Sequence, residues 1–132
     1  MKYLLDTHIW IWWHTAPHKL SKRVLKTIAN NSNYDELLLS AISPWEFAKL
    51  VEKERLVISC NPKSWLDEAL EMPRLRLVAL TPQIAYSSTV LPQPFQGDPA
   101  DQIIVATARE EEAILITADR RILDYQHCNT LW

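Results

Sequence analysis

The segment that decides the fold is GDPADQIIVATAR, residues 97–109. Asp98 is in position to cap a helix, Pro99 suits the first helical turn, and Asp101 falls three residues after the cap. Side chains that can be buried then recur along one face of that helix: Ile103, Ile104, Ala106 and Thr107. The segment therefore predicts a carboxylate, Asp101, in the first turn of a helix that packs against a core.

Short apolar runs of strand length alternate with helical segments on both sides of this stretch. Strands are predicted over residues 2–5, 37–42, 75–80, 113–117 and, as an edge strand, 128–131, with a short extended piece at 56–58. Helices are predicted over residues 7–14, 22–30, 44–54, 61–70, 81–91, 99–109 and 119–125, and the polar run NNSNYDE, residues 30–36, is predicted to be a loop. This alternation is typical of α/β proteins with a parallel sheet covered on both faces.

Length and composition indicate one compact domain over residues 1–132. The chain has 132 residues, is 48% hydrophobic and carries a net charge of only −2, so its overall charge does not attract nucleic acid. No apolar run approaches the roughly 20 residues of a membrane span, and the N-terminus does not resemble a signal peptide. We expect a cytoplasmic protein that does not bind membranes, with Cys60 and Cys128 as free thiols.

Two aromatic and histidine patterns near the N-terminus favour structural roles. His14 and His18 have the spacing of a helical metal pair, but Pro17 between them would interrupt the helix, which argues against a zinc site. Trp10 and Trp13 share one helix face and could stack on bases. Tryptophans at this spacing more commonly belong to a core or an interface, and that interpretation is favoured here.

Four acids stand at junctions between strands and helices. Asp6 follows KYLL, Glu46 follows LLLSAISPW, Asp119 follows AILITA, and Asp101 lies in the helix already described. Because the carboxyl ends of parallel strands share one edge of a sheet, these side chains are predicted to point into one crevice. No Lys or Arg stands next to Asp6, Glu46 or Asp101 in the sequence, whereas two arginines follow Asp119.

Each acid also has a purely structural explanation. Ser43, Pro44 and Glu46 match an S-x-x-E capping box with proline at the first helical position. Asp6 can cap the first helix, and Asp101 and Asp119 suit the positive ends of helices. Gly97, the one glycine, would let a ligand or the backbone come close, and a plain turn explains it equally well.

Several carboxylates close together repel one another, so they either raise their pKa values or bind cations. Clustered oxygen ligands favour Mg²⁺ or Mn²⁺ over zinc, because zinc prefers His and Cys ligands. Such a metal site activates water and stabilises charge on a phosphoryl group. The acids therefore predict hydrolysis of phosphodiester bonds.

Four segments, in this order and spacing, resemble the PIN-domain ribonucleases and, among them, the VapC-type toxins of toxin–antitoxin pairs. These segments are LLDTHIWIWW (4–13), LSAISPWEFAKL (39–50), GDPADQIIVATAR (97–109) and ITADRRI (116–122). The resemblance covers nearly the whole chain. It implies a three-layer α/β/α sandwich with a central, mainly parallel sheet.

The resemblance also implies an endoribonuclease toxin. Asp6, Glu46 and Asp101 match the acidic triad of the family, Asp119 matches its fourth acid, and the supporting positions are Thr7, Asp98 and Thr117. The implied cofactor is Mg²⁺ or Mn²⁺, and a water activated by the metal would cut RNA to leave a 5′-phosphate and a 3′-hydroxyl. The implied partners are a cognate antitoxin, an RNA such as a tRNA or a structured loop, and a second copy of the chain.

Two positions depart from the family pattern. Gln102 stands where relatives often carry Arg or Lys, and Gln96 stands where they often carry His. Neither position is an expected metal ligand. Both bear on how RNA or an antitoxin is held beside the site.

Two other functions fit part of the sequence. A haloacid-dehalogenase-like phosphatase also begins with a strand followed by Asp, but it needs a second acid two residues after Asp6, where His8 stands. It also needs a lysine to neutralise phosphate, and no lysine follows Lys63. A PIN-like module that only binds a partner is the other alternative, and the presence of all four acids argues against it.

Overall fold

Five parallel strands form the central sheet of the protein, described by a computed structural model for residues 1–30 and 34–132. The strands are β1 (Lys2–Leu5), β2 (Glu36–Ser40), β3 (Leu75–Val78), β4 (Ile114–Ile116) and β5 (Thr130–Leu131). Their order across the sheet is β3-β2-β1-β4-β5, and every neighbouring pair is parallel. The predicted parallel sheet and its C-terminal edge strand are confirmed.

Helices connect these strands along the chain. They are α1 (Thr7–Thr15), α2 (Lys22–Ala29), α3 (Ile42–Glu52), α4 (Pro62–Leu70), α5 (Pro82–Ser87), α6 (Pro99–Glu110) and α7 (Arg120–Leu123). Side-chain caps fix several of their starts, as predicted: Ser21 Oγ accepts from the backbone N–H of Val24, and Asn61 caps α4 ahead of Pro62. No helix in the described ranges is long and apolar enough to span a membrane.

The sheet separates two hydrophobic cores. Successive side chains of a strand point to opposite faces, so Leu4 packs with α5, α6 and α7, whereas Leu5 packs with α1, α2, α3 and α4. In the neighbouring strand β4, Leu115 and Ile116 divide between the two cores in the same way. One layer of helices on each face of the sheet makes the predicted three-layer α/β/α sandwich.

Trp10 belongs to the core, as predicted. Its side chain is completely buried, and its ring packs edge-on against those of Phe47 and Trp65, with centroid distances of 6.2 and 5.4 Å. The indole N–H donates to the backbone oxygen of Ala69 at 3.3 Å. This residue is therefore not available to stack on bases.

Several details of the predicted elements differ from the structure or fall outside its described part, and among them β3 ends at Val78 and α7 at Leu123, two residues earlier than predicted. Residues 56–58 form no strand, because the backbone N–H groups of Arg55 and Leu56 both donate to Leu50 and wrap the chain around the end of α3. Helix α5 ends at Ser87 rather than residue 91, and beyond it the Ser88 hydroxyl bonds a backbone oxygen. The apolar pattern of α2 predicts that Leu25 faces the core with Val24 and Ile28, but Leu25 is 36% exposed. In the predicted loop over 30–36, residues 31–33 lie outside the described residues.

The strand order reverses beside β1, and this places the site. The chain moves from β1 to β2 and β3 on one side and then crosses to β4 on the other. In open α/β sheets, ligands bind where the order reverses, outside the carboxyl ends of the strands. Asp6 is the first residue after β1, and its backbone N–H donates to Ile116 at the end of β4. The fold therefore puts Asp6 at the expected binding crevice.

Candidate functional site

Asp6 is held rigidly at the end of β1. It caps α1, and its Oδ1 accepts from the backbone N–H of Thr7 at 2.8 Å. Its Oδ2 accepts from the Thr117 hydroxyl at 2.8 Å and lies 3.6 Å from Nδ1 of His8. The Thr117 Oγ1 in turn accepts from the backbone N–H of Asp119 at 3.0 Å. One threonine thus links two of the predicted site acids.

Glu46 is positioned differently from the prediction. The predicted capping box is wrong, because α3 begins at Ile42, two residues earlier than expected, with no side-chain cap at Ala41. Ser43 therefore lies inside the first turn, fully buried, with its Oγ 2.8 Å from Oγ1 of Thr7. The same Thr7 hydroxyl donates to Oε1 of Glu46 at 2.5 Å. Thr7, a predicted supporting residue, holds Glu46 toward Asp6.

Asp98 and Asp101 form the start of α6, as predicted. Asp98 Oδ1 accepts from the backbone N–H of Asp101 at 2.8 Å, and Asp101 Oδ2 accepts from that of Asp98 at 3.3 Å, a reciprocal capping box. A Cβ at Gly97 would lie 2.9 Å from Cβ of Asp101 and 2.9 Å from the ring of Phe95. Gly97 is thus needed for space, since its φ is not positive. The group that lies close to Gly97 is the side chain of Asp101, one of the predicted site acids.

Asp101 and Asp119 share one arginine. Arg121 Nη2 lies 3.1 Å from Asp101 Oδ2 and 2.9 Å from Asp119 Oδ2, while its Nε bonds Asp119 Oδ1 at 3.3 Å. No Lys or Arg adjoins Asp101 in the sequence, but the fold brings Arg121 to it. The arginine is twenty residues away in sequence and reaches Asp101 from α7.

The electrostatics indicate that Glu46 and Asp101 share one environment with Asp6 and Asp98. Burial raises the pKa of Glu46 to about 7, and the charges of Asp6, Asp98 and Asp101 add to the shift. Burial, with the charges of Asp98 and Asp6, raises the pKa of Asp101 to about 6. Arg121 has the opposite effect on Asp119 and lowers its pKa through its hydrogen bond. These repulsions act among Asp6, Glu46, Asp98 and Asp101. Asp119 is connected to Asp101 through Arg121 instead.

The donor set fits a hard divalent cation, since carboxylates and hydroxyls provide only oxygen ligands. As the side chains stand, no three His, Cys, Asp or Glu residues within 1–30 and 34–132 are arranged to hold one metal ion. Thr7 holds Glu46, and Arg121 holds Asp101 and Asp119. A cation shared by the acids would therefore have to replace these hydrogen bonds.

Sequence reasoning missed three residues that shape the site: His8, Ser43 and Arg121. The Nε2 of His8 accepts from the backbone N–H of Ala118 at 3.1 Å, and its Nδ1 faces Asp6. The signal available for Ser43 and Arg121 was spacing, since each stands within three residues of a predicted acid. For Ser43, the same spacing also matches a capping box.

A groove of about 330 Å³ opens beside the acids. The acids Glu46 and Asp98 line it together with three basic residues: Lys49, Lys53 and Arg55. Trp45 lines the same groove, is 54% exposed and has Lys49 Nζ 5.9 Å from its ring centroid. The groove thus joins a carboxylate cluster to a cationic and aromatic surface.

A larger cavity of about 440 Å³ lies at the other end of α6 and includes none of the predicted site acids. Cys128 lines it as a free thiol, and burial raises the pKa of that thiol to about 11. Cys60 is also free. The expectation of two free thiols is confirmed, and a thiol protonated at neutral pH is not a nucleophile.

The structure combines a parallel sheet with acids at the point where the strand order reverses. The sequence matches the PIN domain family over residues 3–127. The chain belongs to the PIN-domain family. It is 40% identical to Ribonuclease VapC22 of Mycobacterium tuberculosis (strain ATCC 25618 / H37Rv) over 131 residues, covering 98% of this chain and 97% of that protein. The predicted resemblance to VapC-type PIN domains is confirmed.

Solved structures share the fold at low sequence identity. VapBC2 from Rickettsia felis, bound to a DNA fragment from its promoter, matches with a TM-score of 0.70 and 19% identity, covering 100% of this chain and 99% of that chain. VapBC-1 from nontypeable Haemophilus influenzae matches with a TM-score of 0.67 and 21% identity, covering 99% and 97%. These similarities support the α/β/α architecture.

Proposed function

We propose that this protein is a divalent-cation-dependent endoribonuclease that acts as the toxin of a toxin–antitoxin pair. The observation that carries the proposal is the group of acids at the reversal point of the sheet, in a chain that belongs to the PIN-domain family. Asp6 is only 4% exposed and Asp101 9% exposed. Burying carboxylates so close together is costly unless a cation or a proton neutralises them.

In this proposal, Asp6, Glu46, Asp101 and Asp119 hold Mg²⁺ or Mn²⁺. When bound, the ion supplies neutralising charge at the phosphoryl oxygens and makes water more acidic. Thr117 fixes the orientation of Asp6, Thr7 fixes that of Glu46, and the backbone N–H of Asp98 fixes that of the Asp101 carboxylate. These three supporting residues act by positioning, as the hydrogen-bonded outer shell of a metal site does.

The proposed substrate is single-stranded or loop RNA, with a tRNA or another structured RNA loop as the candidate class. The groove beside Glu46 supports this, because Lys49, Lys53 and Arg55 can neutralise phosphates. The exposed ring of Trp45 offers a surface on which an unpaired base can stack. Gln102 is neutral at a position where relatives often carry Arg or Lys. The positive charge of the groove residues therefore matters more for RNA binding.

The proposed partners are an antitoxin and a second copy of the chain. The structures of similar fold from R. felis and H. influenzae are VapBC assemblies, and the Klebsiella pneumoniae structure is a toxin–antitoxin complex. We propose that a small antitoxin places its C-terminal segment in the groove near the acids, and that the toxin is a cytoplasmic homodimer. Sedimentation of the purified protein alone and with the product of the neighbouring reading frame tests both assemblies.

The alternative functions are less well supported. A phosphatase of the haloacid-dehalogenase type would need an acid at position 8, where His8 instead accepts from the backbone of Ala118. A PIN-like module that only binds a partner would need no cation. A Mn²⁺ titration separates this case, because a working metal site raises the melting temperature in the wild type and not in Asp6→Asn.

The experiment that tests the proposal is cleavage of a structured RNA by purified protein with Mg²⁺, with Mn²⁺ and with excess EDTA. We expect cleavage with either ion, none with EDTA, and products that carry a 5′-phosphate and a 3′-hydroxyl. Asp6→Asn, purified in parallel, controls for contaminating ribonucleases. Cleavage that persists in EDTA, or that Asp6→Asn retains in full, would reject the proposal.

A further inference from the structure

We propose that Arg121 binds a phosphate of the RNA substrate. In cation-free protein its guanidinium pairs with Asp101 and Asp119, and a divalent cation bound by these acids would displace it. This inference rests on the proposed function. The proposed metal site does not explain the position of the Arg121 side chain. The guanidinium of Arg121 already occupies oxygens of two of the four acids.

The contacts of Arg121 are those of a counterion. Its Nη2 is shared between Asp101 Oδ2 and Asp119 Oδ2, at 3.1 and 2.9 Å, and its Nε completes a fork on Asp119. Its backbone N–H also donates to Asp119 Oδ1 at 2.9 Å. A cation bound to the same oxygens and the guanidinium are both positive, so they repel and compete for these oxygens.

The side chain is free to leave. Its exposed fraction is 53%, whereas the next residue, Ile122, is completely buried and anchors α7 in the core. Releasing the guanidinium therefore breaks charged hydrogen bonds without opening the core. The backbone N–H of Arg121 can keep its bond to Asp119, so the helix start remains in place.

A released guanidinium would remain at the edge of the site, because its backbone is on the helix that Asp119 caps. An arginine fork matches the oxygens of a phosphate in the same bidentate geometry that it now makes with Asp119. Two changes would then occur together. A cation would bind the carboxylates of Asp101 and Asp119, and the Arg121 guanidinium would bind the phosphate instead of these carboxylates. Arg121 would thus tie RNA binding to cation loading.

The neighbouring arginine provides a matched control. Arg120 has the same charge, is 80% exposed and lies 3.6 Å from Asp124 rather than from a site acid. We compare the wild type with Arg121→Gln, Arg121→Lys and Arg120→Gln. Circular dichroism and thermal denaturation check that each variant folds.

The first measurement is Mn²⁺ binding to RNA-free protein by titration calorimetry. Removing the competing guanidinium should tighten Mn²⁺ binding by about tenfold in Arg121→Gln, the magnitude expected for charged hydrogen bonds. Arg120→Gln should bind Mn²⁺ as the wild type does, and Arg121→Lys should lie near the wild type because it keeps the charge. Unchanged or weaker binding in Arg121→Gln would overturn the displacement, even if the wild type cleaves RNA normally.

The second measurement is the KM for RNA at saturating Mn²⁺. Arg121→Gln should raise the KM about tenfold while Arg120→Gln does not, because only the former removes a phosphate contact beside the acids. A KM equal to that of the wild type would overturn the phosphate role. A wild type that does not cleave would instead reject the proposed function, and the calorimetry would still decide whether Arg121 competes with the cation.

Discussion

The hydroxyl of Thr7 donates a hydrogen bond of 2.5 Å to Oε1 of Glu46, which joins the first turn of α1 to α3 across thirty-nine residues of sequence. Because that hydroxyl has one hydrogen, the hydroxyl of Ser43, 2.8 Å away, must donate to Thr7. A chain of two hydroxyls thus orients the acid whose pKa is raised to about 7. The site therefore depends on residues that cannot themselves ligate a cation strongly.

Replacing Thr7 with valine should weaken Mn²⁺ binding and RNA cleavage by roughly 10- to 100-fold, the range found when outer-shell partners of a metal site are removed. Thr7→Ser keeps the hydroxyl and should stay close to the wild type. Calorimetry and cleavage rates at fixed Mn²⁺ measure the effect. Equal losses in both variants would mean that the methyl group, and not the hydroxyl, matters.

Replacing Asp101 with asparagine should abolish cleavage, a loss of at least about 100-fold, because the proposed site loses one carboxylate. The fold should persist, since an amide oxygen can still accept from the backbone N–H of Asp98. Asp124→Asn removes an exposed acid that faces Arg120 and serves as the control. Cleavage by Asp101→Asn at the rate of Asp124→Asn would contradict the assignment of Asp101.

Without metal, the protein should lose stability as the pH rises from about 4.5 toward 7. Burial raises the pKa of Glu46 to about 7 from an ordinary 4.5, so in this range the folded chain binds more protons than the unfolded chain. The contribution of Glu46 is complete below its unfolded pKa and is lost as the pH passes its folded pKa. Glu46→Gln stays neutral, so its melting temperature in EDTA should fall less. Parallel curves for the two proteins would contradict the raised pKa.

Replacing Gly97 with alanine should disturb the site through sterics. The added Cβ would lie 2.9 Å from Cβ of Asp101, which cannot move without shifting the start of α6, and overpacking of this kind costs about 1–3 kcal/mol. We expect a lower melting temperature and a loss of cleavage. Adding Phe95→Leu relieves only the contact with the ring, so it should recover part of the stability and little activity. Full activity in Gly97→Ala would show that Asp101 tolerates displacement.

Removing positive charge from the groove should weaken RNA binding rather than catalysis. The double variant Lys53→Gln, Arg55→Gln should raise the KM for RNA severalfold and flatten its dependence on salt, with kcat nearly unchanged. Lys63→Gln removes an exposed lysine on α4 that pairs with Asp67, away from the groove, and should leave both parameters alone. A fall in kcat without a change in KM would place these residues in the chemistry instead.

Much of the fold could be predicted from the sequence because local signals and global topology agree. Asp98, Pro99 and Asp101 start α6 as their chemistry predicts, and the apolar runs at KYLL and LLLSAI lie side by side in the parallel sheet. The placement of Asp6 and Asp119 at one edge of the sheet was predictable for a topological reason. Residues that follow parallel strands come to one edge of the sheet, whatever their separation in sequence.

The remaining features depend on contacts that no local pattern encodes. Ser43 matched a capping box, but the buried position beside Thr7 and the earlier start of α3 turned its hydroxyl into a tertiary contact. The reach of Arg121 from α7 to Asp101 depends on the packing of two helices. The steric role of Gly97 likewise depends on where the Phe95 ring lies.

The central claim is that acids from separate parts of the chain share a divalent cation, and a crystal structure grown with Mn²⁺ tests it most directly. Anomalous scattering should place the ion at the carboxyl end of β1, with oxygens of Asp6 and Asp101 among its ligands and the Arg121 guanidinium displaced from them. An ion bound elsewhere on the molecule, or carboxylates still paired with Arg121 in protein that calorimetry shows to be saturated, would contradict the account.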